Sequence, residues 1–395
     1  MKILVHDYAG HPFQVQLSRS LARRGHQVLH LYAGYNTTPH GQLKSLKDDT
    51  SYLNIDSIFI RQPLQKFSLV KRWFQANEYG RLLAARIDQY HPDIVISGNT
   101  PLNSQSFALK KCIKKKIRFL FWLQDMEGIA THRILKKRIP LLGALAGRFY
   151  ISLEKDLLRK SDYIIAITED FVSYLIGYGI TRQKIVVIEN WATLEDLKIC
   201  SKINPWSQYH GITEKFVFLY TGSMGMKHNP EILLQLAIHF KENPNVIVLI
   251  ISEGLGAIWL EQQKREYGLN NIQILCYQPV EQMANLLASG DVLLAILEPD
   301  AGVFSVPSKV LSYLCAQRPI LLSVPLSNLA ARIVTDNQAG VAVPPGNIKM
   351  FLNAAEELLK NPILRETFGT NARSYAECHF DIETITDTFL NLMKS

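Results

Sequence analysis

Residues 2–32 read KILVHDYAGHPFQVQLSRSLARRGHQVLHLY, and this stretch decides the fold. The apolar run at 2–6 predicts a buried strand, and the spacing of Val15, Leu17 and Leu21 predicts a helix over 11–24. Gly25 ends that helix, and a second apolar run predicts a strand over 27–32. Because strand, helix and strand follow in this order, the sheet is predicted to be parallel.

The same alternation recurs along the chain and restarts once. Further strands are predicted at 93–97, 118–123 and 163–168, and then at 216–220, 246–251, 272–275, 292–297 and 320–323. The stretch around Trp191, Pro205 and Trp206 between the two series shows little periodicity. We therefore expect an α/β protein of two Rossmann-like, doubly wound parallel-sheet domains facing across a cleft. They occupy residues 1–195 and 214–379 with a linker at 196–213, and a last helix at about 380–395 is a candidate to pack on the first domain.

Composition narrows the class of protein. The 395 residues are 47% hydrophobic and 20% charged, which is enough apolar material for two cores and argues against disorder. The five cysteines form no CxxC pair, so we expect reduced thiols, no zinc site and no disulfide framework. The sequence also lacks an evident DxD-type metal motif, so no metal requirement is expected. The first apolar run is short for a signal peptide, and no run approaches the roughly 18 residues of a membrane helix. A cytoplasmic location is expected.

Charge is distributed unevenly. Residues 1–195 hold 28 Lys and Arg against 16 Asp and Glu, while the remainder holds 15 against 19. One basic cluster, at 110–118, is typical of a solvated face, whereas the cluster at 133–142 interleaves charge with Ile and Leu, as interfacial helices do. Aromatic residues that would stack on bases are absent from both clusters, so no nucleic acid is expected. The pattern predicts peripheral binding to an anionic membrane surface, on the inner face of the cytoplasmic membrane.

Candidate site residues follow predicted strands. In the second domain, Gly222 and Lys227 suit a diphosphate because glycine exposes amides and lysine supplies charge; the alternative is a flexible loop with a solvated lysine. Ser308 is a natural N-cap, and Lys309 in the first helical turn is best explained by a bound anion, although a capped surface helix is the plain alternative. Upstream carboxylates that could hold sugar hydroxyls are Glu298 and Asp300.

The first domain offers two further candidates. Gly10 and His11 lie between the first strand and a helix, where a ligand contact and a simple turn are about equally expected. Asp125 follows the strand at 118–123 and is either a polar group for the acceptor or a solvated turn acid. The loop that contains Gly10 and His11 lacks the GxGxxG pattern of dinucleotide-binding folds, and this disfavours a nicotinamide cofactor.

Taken together, these segments resemble the retaining glycosyltransferases of family four, which have the GT-B fold, and especially the bacterial subgroup that builds O-antigen, colanic acid and exopolysaccharide. The resemblance is carried by SDYIIAIT at 161–168, KIVVIENW at 184–191, YTG at 220–222 and VPSKVLSY at 306–313, followed by RPI at 318–320. It implies transfer of a hexose with retention from a UDP- or GDP-linked donor to a glycan or lipid-linked acceptor, without a metal or other cofactor. Cell-surface polysaccharide biosynthesis is the implied setting.

The resemblance also implies roles for single residues. Catalytic positions would be Asp125, Lys227, Lys309 and Glu298; donor-binding positions would be Gly10, His11, Gly222, Ser223, Tyr277, Gln278, Asp300, Ser308 and Ser312. The sequence departs from the family at two of these: Ser312 stands where the second glutamate of a Glu-x7-Glu pair grips ribose, and Ser223 replaces a common arginine.

Three alternatives remain open. A non-hydrolysing nucleotide-sugar epimerase would share the architecture but would need several acids and histidines at its site. A catalytically degenerate subunit of a polysaccharide assembly complex is suggested by Ser312. A nicotinamide-dependent dehydrogenase is the weakest of the three.

Overall fold

The computed structural model describes residues 1–35, 40–63, 68–224, 228–299 and 306–394, and they form two compact units. Unit 1 comprises Met1–Asn190 together with Ile382–Ser395, and unit 2 comprises Trp191–Asp381. Each unit is built on its own parallel sheet.

Unit 1 holds a seven-stranded parallel sheet in the order β3-β2-β1-β4-β5-β6-β7. Its elements are β1 (Lys2–Asp7), α1 (Pro12–Arg23), β2 (Gln27–Ala33), β3 (Leu53–Ile58), α2 (Leu69–Tyr90), β4 (Ile94–Gly98), α3 (Leu102–Lys115), β5 (Arg118–Leu123), α4 (Glu127–Arg138), α5 (Pro140–Lys160), β6 (Tyr163–Ala166), α6 (Asp170–Gly177) and β7 (Ile185–Val187). Successive strands are added on one side of β1 as far as β3 and then on its other side from β4 onward, so the strand order reverses between β1 and β4. Doubly wound sheets bind ligands at such a reversal, beside the carboxyl ends of the two strands.

Unit 2 holds a six-stranded parallel sheet in the order β10-β9-β8-β11-β12-β13. Its elements are α7 (Pro205–Tyr209), β8 (Phe216–Thr221), α8 (Glu231–His239), β9 (Val246–Ile251), α9 (Leu255–Glu266), β10 (Ile272–Leu275), α10 (Met283–Ala288), β11 (Val292–Ile296), α11 (Lys309–Cys315), β12 (Ile320–Ser323), α12 (Leu329–Asp336), β13 (Gly340–Val343), α13 (Ile348–Lys360) and α14 (Pro362–His379). Here the reversal lies between β8 and β11.

The prediction of two doubly wound parallel sheets is confirmed, because every strand pair is parallel and most predicted strands lie within a residue or two of the observed ones. These strands could be recognised because both sheet faces are covered, which makes the central strands continuous apolar runs. Strands β3, β7 and β13 are not among the strands predicted from apolar runs. They are edge strands with half-buried or exposed positions, so their apolar signal is weaker.

The stretch predicted as a linker is folded onto unit 2. Trp191 and Trp206 are buried, and Asn204 caps α7 by accepting hydrogen bonds from the backbone of Trp206 and Ser207. The Asn204 amide also donates to the carbonyl of Asn285 at 3.0 Å. Low periodicity at 196–213 therefore reflects short turns held by side-chain hydrogen bonds.

The last helix, α15 (Ile382–Lys394), belongs to unit 1 although it follows unit 2 in the chain. Phe389 is fully buried, with its ring 5.0 Å from that of Trp122. Arg24, directly after α1, pairs with Glu383, and Arg118 donates to the carbonyl of Met393. Within the described residues, no helix is long and apolar enough to cross a membrane.

Candidate functional site

The donor-site candidates of unit 2 lie at the carboxyl edge of its sheet. Gly222 and Ser223 follow β8, Tyr277 and Gln278 follow β10, and Glu298 follows β11, while Lys309 begins α11. Ser312 is half-buried one turn further along α11. Two predicted residues, Lys227 and Asp300, lie outside the described residues.

The best-defined feature of this edge is the approach of Lys309 to the loop after β8. The Lys309 Nζ atom lies 3.6 Å from the ring centroid of Tyr220. Gly222 has φ of +107°, and a Cβ there would lie 3.2 Å from Lys309 Cε and 3.3 Å from Nζ. The backbone conformation therefore favours glycine at position 222, and a larger residue would also displace the tip of the lysine beside it. The result is a cation and a glycine loop in direct contact.

Tyr313 on α11 fixes this arrangement, although it is not among the site residues predicted from the sequence. The Thr221 N–H donates to Tyr313 Oη at 2.9 Å, and the same hydroxyl donates to the Leu294 carbonyl at 3.1 Å. Burial raises the pKa of Tyr313 to about 12, so the phenol stays neutral and can donate. One hydroxyl thus ties α11, which carries Lys309, to the ends of β8 and β11.

The predicted capping bond from Ser308 is not formed. The backbone at Ser308 is already helical, with φ of −56° and ψ of −24°, whereas a side-chain cap needs an extended conformation. The Ser308 carbonyl instead accepts from the N–H of Leu311 at 3.1 Å. The side chain is exposed, which leaves its hydroxyl available to solvent or a ligand.

The loop after β10 is held by two contacts. The Tyr277 N–H donates to a carboxylate oxygen of Glu253 at 3.4 Å, and Trp206 Nε1 donates to Gln278 Oε1 at 3.2 Å. Burial raises the pKa of the Tyr277 phenol. Tyr277 and Gln278 therefore present an ordered backbone at the carboxyl end of β10.

Glu298 lines a small pocket at the carboxyl ends of β11 and β12. The polar residues around it are Asn229, Glu231 and Ser323, and the apolar wall includes Ile232 and Ile348. Carboxylate, amide and hydroxyl groups together match the hydroxyls of a sugar better than they match a phosphate. This placement keeps Glu298 a candidate for contact with the transferred sugar.

In unit 1, Gly10 and His11 lie at the carboxyl end of β1, in a loop organised by Asp7. Gly10 has φ of +76°, and its N–H donates to the Asp7 carbonyl at 3.3 Å. The Asp7 side chain is fully buried, and His11 Nδ1 lies 3.4 Å from its Oδ1. Burial opposes the charged imidazole, but Asp7 raises the pKa of His11 above its ordinary value. Asp7 was not predicted as a site residue, because a single aspartate at the end of a strand belongs to no recognisable sequence motif.

Asp125 is exposed after β5, and two further carboxyl groups lie near it. Burial raises the pKa of Glu127, the first residue of α4, to about 8, and the nearby Glu154 adds to the rise. Burial also raises the pKa of Glu154 to about 7. Glu154 Oε1 accepts from the Gly128 N–H at 2.9 Å, so this side chain from α5 caps the start of α4. Of the three, Asp125 is the most accessible to a ligand.

Across the residues that the structure describes, no group of three or more His, Cys, Asp or Glu side chains is arranged to hold a metal ion.

Comparison with known protein families matches both units. Residues 14–196 match the family described as Glycosyltransferase Family 4, and residues 203–375 match Glycosyl transferases group 1, so the two matches span most of the chain. The chain belongs to glycosyltransferase family 4. This family member has the Rossmann-like units expected of the GT-B fold.

One relative in sequence is WcaI of Escherichia coli (strain K12), to which a glycosyl transferase role in colanic acid biosynthesis has been assigned. This chain is 22% identical to WcaI over 253 residues, which cover 63% of this chain and 61% of WcaI. The match therefore spans less than two thirds of the length of that relative.

Solved structures show the same fold. Sucrose-phosphate synthase from Thermosynechococcus elongatus matches 100% of the chain and 98% of its own, with a TM-score of 0.74 and 14% identity. HepE of Anabaena, crystallised in complex with UDP and glucose, matches 100% and 99%, with a TM-score of 0.73 and 17% identity.

Proposed function

We propose that this family member transfers a sugar, with retention of anomeric configuration, from a nucleoside-diphosphate donor to a glycan or lipid-linked acceptor in cell-surface polysaccharide biosynthesis. The observation that carries the proposal is the contact between the Lys309 ammonium group and the Gly222 loop at the carboxyl edge of the unit 2 sheet. Family membership, the colanic acid assignment of WcaI and the UDP complex of HepE support it.

The chemistry asked of this edge is stabilisation of a leaving group. As the bond from the sugar to the diphosphate lengthens, the sugar becomes oxocarbenium-like and negative charge grows on the diphosphate. A fixed cation and backbone N–H groups aimed at that charge lower the barrier more than they lower the ground state. Lys309 supplies the cation, and the open backbone at Gly222 lets phosphate oxygens approach amides.

Retention follows in this proposal from attack on the face that the diphosphate leaves. The leaving diphosphate then takes the proton of the acceptor hydroxyl, so the acceptor oxygen forms the new bond while the bond to the donor oxygen breaks. Glu298, in its polar pocket, contacts hydroxyls of the transferred sugar. Asp125, exposed after β5, orients the acceptor.

A melting-temperature panel tests the donor class. UDP, GDP, UMP and GMP are compared, since ligand at 100 times its dissociation constant adds about 2.7 kcal/mol of stability. We expect one diphosphate to raise the melting temperature well above its monophosphate partner. Equal shifts for UDP and UMP, and for GDP and GMP, would contradict a diphosphate site.

Turnover separates the proposal from its alternatives. With the selected nucleotide sugar, we expect release of the nucleoside diphosphate and a product of the same anomeric configuration by NMR. Epimerised nucleotide sugar would instead identify an epimerase. Tight diphosphate binding without any transfer or donor hydrolysis would identify a degenerate subunit, in which Ser312 is the departure to restore by S312E.

The proposal also includes a membrane surface, on the helical hairpin α4–α5. Gly143 and Gly147 let α5 pack closely on α4, since a Cβ at either would lie within 2.5 Å of the facing helix. The hairpin exposes large apolar side chains: Ile134 46%, Ile139 50%, Leu141 85%, Leu142 70%, Leu145 63% and Phe149 58%. Basic side chains exposed on the same hairpin are Arg133, Lys136, Lys137 and Arg148.

Exposed apolar side chains surrounded by basic ones match the surface of an anionic bilayer. The apolar side chains insert into the membrane interface, and the basic side chains are attracted to the anionic headgroups. Sedimentation with vesicles tests this, using phosphatidylcholine with and without phosphatidylglycerol. We expect binding to the anionic vesicles only, weakened by salt, and lost in the double variant L141D/L142D. The matched control is I258D, which changes a comparably exposed apolar residue of unit 2 and is expected to bind as wild type does. Equal binding by L141D/L142D would remove the hairpin from the proposal.

A further inference from the structure

The small pocket beside Glu298 lies wholly within unit 2. Its polar lining is Asn229, Glu231, Glu298 and Ser323, and the rest of its wall is largely apolar. Glu298 follows β11 and Ser323 ends β12, and these neighbouring strands are joined at that point by a hydrogen bond from the Leu297 N–H to the Ser323 carbonyl at 2.9 Å. The sheet itself therefore holds a carboxylate and a hydroxyl side by side.

Ser323 is the buried member of the polar lining. The residue is only 4% exposed, and its hydroxyl makes no hydrogen bond to any group that the structure describes. Glu298 likewise makes no hydrogen bond or ion pair with a described residue. Because buried polar groups are almost always hydrogen-bonded, a buried hydroxyl that lines a pocket without a partner points to a polar group that enters the pocket.

Glu231 adds a second carboxylate to the same pocket. It is the first residue of α8, where the positive end of the helix dipole favours a negative charge. Gln235 donates to its Oε1 at 2.7 Å, which leaves Oε2 as an acceptor. The helix start explains Glu231 but not Glu298, and the described lining contains no Lys, Arg or His. The pocket therefore has excess negative charge and a surplus of hydrogen-bond acceptors.

The position of the pocket brings it within reach of the donor sugar. Strand β11 is the direct neighbour of β8, with Leu294 paired to Tyr220. Neighbouring strands lie about 4.8 Å apart. A diphosphate bound at Gly222, directly after β8, therefore places the sugar that it carries beside the end of β11, where Glu298 and the pocket lie.

The lining distinguishes between the groups that a sugar can present. Carboxylates accept hydrogen bonds from hydroxyl groups, whereas they repel another carboxylate. The Ser323 hydroxyl can both donate and accept. The apolar wall, which includes Ile232 and Ile348, suits the C–H groups along the edge of a sugar ring. Hydroxyl groups therefore match the pocket, and an anionic group does not.

We propose that this pocket selects a neutral hexose over the corresponding uronic acid, with Glu231 and Ser323 as specificity-determining residues. A hydroxyl or hydroxymethyl group of the hexose donates to the carboxylates and accepts from Ser323. A carboxylate in the same place meets two like charges. The proposal rests on the proposed function for the nucleotide sugar, and it adds the charge class of the sugar that is transferred.

Calorimetry of the full chain with UDP, UDP-glucose and UDP-glucuronate tests the proposal. The two nucleotide sugars differ only at carbon 6, which is a hydroxymethyl group in one and a carboxylate in the other, and UDP carries no sugar. If the melting panel selects GDP, the ligands are GDP, GDP-mannose and GDP-mannuronate. We expect the hexose form to bind about tenfold more tightly than the uronate form.

Two variants test the named residues. E231Q keeps the side-chain size and the oxygen that Gln235 contacts, and it should raise uronate affinity about fivefold. S323A removes the unpartnered hydroxyl and should lower hexose affinity about fivefold. Neither variant should change the affinity for the diphosphate alone, which separates a role in sugar selection from a general structural role. The matched control is E261Q, a half-buried glutamate on α9 that does not line the pocket, and all its affinities should equal those of wild type.

The outcomes separate the two proposals. If wild type binds the diphosphate but binds the uronate form as tightly as the hexose form, or more tightly, the inference is overturned. Unchanged nucleotide-sugar affinities in folded E231Q and S323A would remove the specificity role of both residues. Failure of wild type to bind either diphosphate would instead overturn the proposed function, and with it the ligand assigned to this pocket.

Discussion

Removal of the Lys309 charge is the sharpest test of the unit 2 edge, and K309M is the variant that isolates it. Methionine keeps the unbranched stem over Tyr220 and deletes only the ammonium group. Two unit charges 4 Å apart at an effective dielectric of 20 interact by about 4 kcal/mol. Water and neighbouring amides will replace part of this, so we expect a loss of about 3 kcal/mol in transition-state stabilisation. That corresponds to about a hundredfold fall in kcat/KM.

The folded state should barely respond to the same change. The contact of the ammonium group with an aromatic ring contributes about 0.5–1 kcal/mol, and its position in the first helical turn costs about 0.3–1 kcal/mol. These terms oppose each other, so the melting temperature should shift by no more than a few degrees. K309A should behave similarly, which makes rate rather than stability the property at risk.

The assay is release of nucleoside diphosphate from the nucleotide sugar selected by the melting panel, with melting temperature recorded for each variant. K309R keeps the charge and should retain more activity than K309M. The control K241M removes an exposed lysine of the same unit and should leave both values unchanged. Turnover by K309M at the wild-type rate, or a loss of rate that merely follows unfolding, would refute the reasoning.

Three further changes probe the fold around the candidate sites. F389A removes a fully buried ring beside Trp122 and should cost about 3–5 kcal/mol in urea unfolding of unit 1; an unchanged midpoint would mean that α15 is dispensable. E154Q should flatten the pH dependence of stability: the carboxyl pKa rises from 4.5 to about 7 on folding, so wild-type stability falls as pH rises through that window. Unfolding curves at pH 5 and 8 should then favour the variant at pH 8, and parallel curves would contradict the shift. Y313F leaves the bonded groups on β8 and β11 without their hydroxyl and should destabilise unit 2 by about 1–3 kcal/mol, which chemical denaturation would detect or exclude.

The positions of the candidate residues along the chain could be read from the sequence because parallel sheets follow simple rules. A buried strand is an apolar run, and ligands gather at the carboxyl ends of such strands. Gly222 and Lys309 were predicted on that basis, and in the structure a Cβ added at Gly222 would lie 3.3 Å from Lys309 Nζ. The prediction that the Ser308 side chain caps α11 was wrong. It used only the local preference of serine for that position, and the backbone at Ser308 is already helical.

Pairing across long stretches of chain was beyond sequence reasoning. Thr221 and Tyr313 are 92 residues apart, and so are Asp7 and Asn99, yet each pair is hydrogen-bonded. A single tyrosine or aspartate gives no sequence pattern from which a distant hydrogen-bond partner could be predicted. The raised pKa of Glu154 likewise depends on burial by neighbouring helices, which no local pattern encodes.

The sequence by itself determined that the chain forms two parallel-sheet units with polar and glycine residues after their strands, since both follow from apolar periodicity and local turn chemistry. Only the tertiary structure decided that Lys309 lies against Gly222, that Asp7 is buried beneath His11, and that α15 returns to unit 1. The apolar pattern of a helix or strand is local in the sequence, so it predicts where helices and strands form. Apolar burial is non-directional, so this pattern does not specify which side chains meet. The geometry of a site depends on hydrogen bonds and charges between distant segments, which exist only after the elements have packed.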